Sequence, residues 1–311
     1  MQFRKLGRSG LDVSLAGLGC NNLGGRIDLE ASRAVVHKAL DLGITLFDTA
    51  DMYSDRGGSE IALGKILGPR RKDIVLASKF GMAMDDAGRL RGASRQYIMS
   101  AVEASLKRLQ TDWIDLYQLH RPDPATPIEE TLRALDDLVR AGKVRYIGCS
   151  NLSAWQVVDA AWHARVGGLE RFVCAQDEYS LLRRGAEAEL IPALVASGMG
   201  LLPYYPLASG LLTGKYKPGA MPVGARLTRF KHMADRIVSD RNWAILQKLE
   251  AFCASRGCTM VELAMGWLAS RAPVASVIAG ATTPSQVEQN AAAIAWKPTA
   301  EDLAELDRLS A

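Results

Sequence analysis

Short apolar runs alternate with amphipathic stretches along almost the whole chain. Eight runs stand out: Leu15–Gly19, Thr45–Asp48, Ile74–Lys79, Ile114–Leu119, Val144–Gly148, Phe172–Gln176, Gly200–Tyr204 and Ala275–Ala279. Their mostly apolar character predicts parallel strands buried on both faces. Between them, apolar residues recur at helical spacing. Ile98, Val102, Leu106 and Leu109 form one stripe, behind a capping Ser94. Ile128, Leu132, Leu135, Leu138 and Val139 form another, launched by Thr126-Pro127-Ile128-Glu129 and stopped by Gly142. That tetrapeptide reads as a capping box with proline at the first helical position, and Ser153-Ala154-Trp155-Gln156 as a second box. Eight strand–helix repeats predict an α/β fold, a closed (β/α)₈ TIM barrel. A doubly wound open sheet competes, and the even succession of similar units argues against it.

Some regions break the rhythm. Residues 2–14 read as an N-terminal β-hairpin, two short strands joined by Gly7-Arg8-Ser9-Gly10. Residues 205–239 form a long connection rich in Pro and Gly, and connections that long are usually lids or binding loops. An extra helix is expected at 259–270, after one around Leu246–Phe252. No domain boundary is visible, so residues 1–311 are read as one barrel domain.

Composition narrows the function. Hydrophobic residues make up 48% and charged ones 23%, so a large core can form and disorder is not expected. The net charge of +4 is dispersed, without the basic blocks of nucleic-acid binders. Five cysteines form no CxxC pair and no zinc spacing with histidine, so no metal is expected and the thiols read as reduced. Cys20, Cys149 and Cys174 read as small buried residues. Met1–Lys5 lacks an apolar signal core and no run suits a bilayer, so a cytoplasmic protein without membrane partners is expected.

The candidate chemistry lies at strand ends. Thr45–Tyr53 delivers Asp48 and Tyr53, Ile74–Phe80 delivers Lys79, and Leu116–Asp123 delivers His120. In a barrel these are the carboxyl ends of consecutive strands, where active sites lie. Singly, each has a bland reading: a turn cap, a packed aromatic, a solvated lysine, a histidine on a carbonyl. Together they form a proton donor with electrostatic support. A nearby ammonium favours phenolate and lowers a tyrosine pKa, an aspartate keeps that ammonium oriented, and a histidine can donate to a carbonyl oxygen. Carbonyl reduction by a hydride-carrying cofactor needs such a set. Asp51, between Asp48 and Tyr53, reads as a loop residue, as do Asp177 and Glu178. His37, His163 and His232 read as solvent-facing.

Several stretches resemble the aldo-keto reductases, in the bacterial branch similar to potassium-channel β-subunits. They are Phe47–Tyr53, Ser78-Lys79-Phe80, Gln118–Asp123, Gly142–Asn151, Tyr204–Lys215 and Ile278–Asn290. The resemblance runs in order along nearly the whole chain. It implies Tyr53 as general acid, His120 as carbonyl orienter, and Lys79 with Asp48 tuning the tyrosine. It also implies NADPH across the barrel mouth, favoured over NAD. Ser150, Asn151 and Gln176 would hold the nicotinamide carboxamide, and Tyr204 would stack on its ring. Leu207, Ser209 and Leu211 belong to the loop whose backbone wraps the pyrophosphate, with Lys215 and Arg226 as cationic partners. Gly19, Cys20, Asp48, Gly280, Thr282, Gln286, Gln289 and Asn290 complete the cofactor set, and Asn21, Met52, Phe80 and Arg121 the substrate wall, beside Met82 and the 206–238 loop.

This chain departs from the commoner family pattern. Gly280 and Ala281 stand where many members carry lysine and serine, and Gln286 where they carry arginine. In this branch hydroxyls, backbone and an arginine elsewhere, here Arg226, would hold the 2′-phosphate. Thr283-Pro284-Ser285-Gln286 reads, apart from any family, as a helix N-terminus with a capping box that offers N–H groups to an anion. Gly17-Leu18-Gly19 is not a Rossmann fingerprint, because Asn22 stands where the third glycine belongs. The expected activity is NADPH-dependent reduction of aldehydes or ketones. Two alternatives remain: the same chemistry reversed, oxidising an alcohol or sugar lactol, and a non-catalytic NADP(H)-sensing binding partner.

Overall fold

In the computed structural model, which describes residues 1–311, the chain forms ten strands. β1 (Phe3–Lys5) and β2 (Asp12–Ser14) pair as an antiparallel hairpin. The others are β3 (Ala16–Gly19), β4 (Leu46–Asp48), β5 (Val75–Phe80), β6 (Ile114–Leu119), β7 (Val144–Ser150), β8 (Phe172–Glu178), β9 (Gly200–Tyr204) and β10 (Val277–Gly280). These eight are parallel, in the order β10-β3-β4-β5-β6-β7-β8-β9. The remaining gap closes just before β10. There Leu201 N–H donates to Pro273 C=O and Ala275 N–H donates to Leu201 C=O, each at 3.0 Å. The sheet is therefore a (β/α)₈ barrel, as the eight apolar runs predict.

Successive strand residues face opposite sides, and that alternation sorts the core. Leu46, Val75, Ala77, Leu116, Cys174, Leu202, Ala275 and Ile278 form a small cluster inside the barrel. Phe47, Leu76, Tyr117, Leu119, Ala175 and Ala279 belong to the larger shell between strands and helices. One step further along the inward-facing rows come Asp48, Lys79, Gln118, Gln176 and Tyr204. The barrel is thus apolar below and polar at its carboxyl end.

The hairpin plugs the lower end. Leu6 and Val13, both fully buried, join the inner cluster. Burial of each contributes roughly 1.5–3 kcal/mol. The turn sits hard against the barrel: Arg8 N–H donates to Gly198 C=O at 2.8 Å. Gly7 has φ +59°, and a Cβ there would meet Val173 O at 2.5 Å and Gly200 N at 2.7 Å. Only glycine fits that backbone and that approach.

Several local expectations need correction. The helix Ile128–Arg140 begins without a threonine cap: Pro127 holds the capping position, and Thr126 Oγ1 instead donates to Asp123 Oδ2 at 2.8 Å. Asp123 outcompetes the helix end because it also gathers Ala93 N–H and Ala125 N–H. The extra helix is Asp240–Arg256 rather than the 259–270 segment. Met260–Ala269 is the barrel's own helix, with Leu263 through Ala269 all buried, while Asp240–Arg256 packs outside it with the C-terminal helix Ala300–Leu309. The 205–239 connection is not wholly irregular: it holds a 3₁₀ segment, Ala208–Thr213, and short helices Arg226–Arg229 and Lys231–Ile237. No helix is long and apolar enough to cross a membrane.

Candidate active site

A cavity of about 640 Å³ opens at the carboxyl ends of the strands. Backbone strain clusters around it. Apart from Gln110, every non-glycine residue with positive φ lies in a strand-to-helix connection there: Ser54, Asp55, Arg56, Asn151, Tyr205, Ala208 and Ser209. Such conformations persist only where the surroundings impose them, and they mark functional ends of folds.

Asp48, Tyr53 and His120 line this cavity, and the fully buried Lys79 lies behind them. β4 and β5 are adjacent, with Asp48 opposite Ala77, so Lys79, two residues further on the same inward row, reaches Asp48 diagonally. Lys79 Nζ donates to Asp48 Oδ2 at 2.7 Å, to Thr49 C=O at 2.9 Å and to Tyr53 Oη at 3.3 Å. Its three protons are accounted for. Asp48 Oδ1 accepts from Gln176 Nε2 at 2.9 Å and Gln118 Nε2 at 3.3 Å. Gln118 is a partner that the strand-end reading passed over. Its place two residues before His120, on the same inward row, is the signal that would have found it.

Tyr53 starts the helix Tyr53–Leu67, but Ser54, Asp55 and Arg56 are left-handed and regular helix follows only after Gly57. Ser54 Oγ donates to Leu23 C=O at 2.6 Å, which ties this strained turn to the loop after β3. Tyr53 is held from both sides: its hydroxyl by Lys79, and its ring edge-on to His120 at 5.8 Å and 83°.

Burial raises the Tyr53 pKa, and Lys79 offsets only part of the rise. The expected lowering of the phenol is thus reversed, because desolvation of a phenolate exceeds the attraction of an ammonium already neutralised by Asp48. Tyr53 rests as a phenol. For Lys79, burial opposes the charge, but Asp48 and Tyr53 outweigh it and the pKa is raised. His120 is pushed down to about 3 by burial, then by Lys79 and Arg121, so it is a neutral imidazole at neutral pH. Its Nδ1 is buried without a partner. A proton on Nε2 leaves only a lone pair there rather than an unmet N–H.

Most of the expected cofactor residues line the same cavity: Gly19, Cys20, Asp48, Ser150, Asn151, Gln176, Tyr204, Leu207, Ser209, Lys215, Arg226, Gly280, Thr282, Gln286, Gln289 and Asn290. The side chain of Leu211 is buried in the outer core instead. Asn151 Nδ2 donates to His120 C=O at 3.1 Å and Ser150 Oγ at 2.9 Å, and Tyr204 Oη donates to Asn151 Oδ1 at 2.8 Å. At Pro284–Ala293, Thr283 Oγ1 accepts Gln286 N–H, but Gln286 Oε1 returns to Thr282 N–H at 2.8 Å rather than to Thr283. The capping box is shifted by one residue. A side chain at Gly280 would crowd Asn22 Nδ2 and Asn21 Oδ1 at 3.2 and 3.3 Å.

Asn21, Met52, Met82 and Arg121 also line the cavity. Phe80 does not. Strand alternation turns Lys79 inward and Phe80 outward, fully buried against Tyr117 at 4.8 Å between ring centroids. Two cations escaped the sequence reading, Arg26 and Arg236. Arg236 pairs with Glu178 at 2.7 Å. Arg26 is held below its ordinary pKa by burial and then by Arg226 and Arg229, and Lys215 by burial and then by Arg26. Arg226 Nε is buried without a partner. Arg26 thus faces both Lys215 and Arg226, and none of the three has a carboxylate partner, the electrostatic mark of an anion site. Arg26, seven residues past the end of β3, carried no signal beyond its loop.

Asp51 lies in the turn after β4 as expected, but Asp177 and Glu178 end strand β8 instead of lying in a loop. Asp51 is 1% exposed, neither carboxylate oxygen has a partner, and its pKa is pushed up to about 7 by burial and then by Glu60. Asp177 lies on β8, pushed up to about 7 by burial. His163 is half-buried against Glu129 and Asp159, whereas His37 and His232 are exposed. Cys20, Cys149 and Cys174 are buried, and burial raises their pKa values.

The family model described as "Aldo/keto reductase family" matches residues 16–311. The chain belongs to that family, and it is an NAD(P)H-dependent oxidoreductase of carbonyl compounds. It is similar to a protein of Arabidopsis thaliana described as "Probable voltage-gated potassium channel subunit beta". The two are 37% identical over 303 residues, 94% of this chain and 91% of that one. A protein of Oryza sativa subsp. japonica with the same description is 36% identical over 304 residues, with the same coverage.

Proposed function

We propose that this protein reduces aldehydes and ketones to alcohols with NADPH, Tyr53 being the proton donor. The observation that carries the reading is Lys79 Nζ, shared between Asp48 and Tyr53, which both line one cavity. Tyr53 is protonated when it meets the substrate, and gives its Oη proton to the carbonyl oxygen. Lys79, kept charged by Asp48, stabilises the phenolate left behind. Neutral His120 donates from Nε2 to the same oxygen and orients the carbonyl. Proton transfer by such a placed group supplies about 10²–10⁴-fold in rate.

The residues at the mouth fit a dinucleotide. Arg26, Lys215 and Arg226 answer its phosphates, and Arg226, with an Nε lacking a partner, favours a 2′-phosphate and hence NADPH. Ser150, Asn151 and Gln176 would hold the carboxamide beside Tyr204. When bound, this group supplies the hydride. Run in reverse, the same site oxidises an alcohol or lactol, with direction set by the cofactor ratio. The barrel would act as one domain, on small carbonyl substrates.

Tyr53→Phe is expected to lower turnover on an aldehyde at least ~10²-fold, with NADPH binding by fluorescence titration unchanged. Retained turnover would sink the mechanism. Arg226→Ala is expected to weaken NADPH binding more than NADH binding; equal losses would remove the NADPH preference. The likeness to two potassium channel β subunits favours a second reading, the non-catalytic NADP(H)-sensing binding partner. That reading requires tight NADPH binding with negligible turnover across an aldehyde, ketone and sugar panel.

A further inference from the structure

One face of the helix Ala154–Gly167 is apolar and uncovered. Trp155, Val158, Trp162 and Val166 are 68, 49, 57 and 66% exposed. Their spacing of three, four and four residues places them on one stripe of the helix. The opposite face is also apolar, with Val157, Ala160 and Ala164 buried on the barrel. The helix is therefore two-sided, and the barrel uses only one side. Beside it packs the short helix Leu190–Ser197, whose Val195 is 59% exposed. Val195 borders a shallow groove of about 570 Å³ with Ile191, Pro192 and Tyr179.

Area identifies the occupant. With a tryptophan side chain taken at up to about 250 Å², the two tryptophans and three valines expose on the order of 500 Å². That matches the largest apolar patches on ordinary monomers, which are commonly functional. A symmetric contact counts the patch twice, giving on the order of 1,000 Å² of apolar surface before any polar rim is added, the area at which a concentration-dependent biological interface begins. Self-association needs no second complementary surface, because a two-fold contact sets the same patch against itself. Tryptophan knobs next to an apolar groove suit that arrangement, with each copy supplying both parts. Charge does not oppose it: the flanking Asp159 and Arg165 bring opposite signs. We propose that this face, Trp155, Val158, Trp162 and Val166 with Val195 beside them, docks a second copy of this chain. None of these five residues lines the cavity.

The test is sedimentation velocity of the full chain from ~0.1 to 100 μM. The wild type is expected to run at twice its 33.7 kDa mass at the upper end and to dissociate on dilution. Trp155→Glu/Trp162→Glu is expected to raise the dissociation constant at least ~100-fold, with the far-ultraviolet spectrum and turnover per chain unchanged. Val166→Lys, a smaller change at the stripe's end, is expected to weaken association in the same direction, so a folding defect in the double variant leaves the question answerable. Tryptophan emission is expected to shift to the blue as wild-type concentration rises. A wild type that stays monomeric throughout, or an assembly unchanged in the variants, overturns the proposal.

Discussion

Asp48 and Asp51 are three residues apart and almost equally buried, at 3% and 1% exposure, yet they live in opposite chemistry. Asp48 points into the barrel, where Lys79, Gln176 and Gln118 satisfy both of its oxygens. Asp51 points outward, between the barrel and the helices Tyr53–Leu67 and Arg95–Leu109. Around it are Glu60, Arg108, Tyr97, Tyr117 and Lys79. There Glu60 has already taken Arg108 at 2.7 Å and Ser78 at 2.5 Å. Asp51, Tyr97 Oη and Tyr117 Oη are left without partners. The lesson is that burial does not make a buried acid functional. Partners decide whether it is a stable charge or a costly one.

Lys79 carries most of the difference between the two acids. Lys79→Met removes the one cation that joins Asp48 to Tyr53, and strands Asp48 as an uncompensated buried charge. Expected are a fall in turnover of at least ~10²-fold and a loss of about 3–5 kcal/mol in chemical denaturation. Unchanged stability would mean that Asp48 finds water in place of the lysine.

Asp48→Asn is expected to do less, because the amide keeps the shape of the site. Without the carboxylate, burial lowers the Lys79 pKa. The alkaline limb of the kcat profile then moves to lower pH, and a profile that stays put would show that Asp48 does not hold the ammonium. His120 sharpens the electrostatics from the acid side. Its pKa of about 3 in the fold lies below the unfolded value near ~6.5, so the unfolded chain binds the extra proton first. His120 therefore leaves stability intact above ~6.5 and erodes it as pH falls toward 3. His120→Gln should flatten the melting temperature over that window.

Asp51→Asn is the smallest effect and has the opposite sign. Asp51 titrates at about 7 in the fold and near ~3.9 unfolded, so the folded state holds a proton that the unfolded state has lost. Its penalty grows from pH 4 to 7 and stays constant above. The variant should melt a few degrees higher than wild type at pH 8, with the gap closing near pH 4. A gap independent of pH would place the cost elsewhere.

Much of this was legible in the chain. The apolar runs determined the eight parallel strands, and the glycine turn at residues 7–10 the hairpin. The strand-end positions of Asp48, Lys79 and His120, with Tyr53 just beyond, brought four side chains to one end of the barrel. Those features are local, because strand and turn preferences act over a few residues. Tertiary structure alone decided what depends on direction and neighbours. It turned Phe80 outward and Lys79 inward. It gave Thr126 to Asp123 instead of to a helix, and set Arg26 against Lys215 and Arg226 from distant loops. It also reversed the expected effect on Tyr53, since a pKa is the sum of burial and every nearby charge, and neither is written at any single position. Asp48 and Asp51 look alike as letters; only the fold, by placing one inside the barrel wall and the other behind it, made them different.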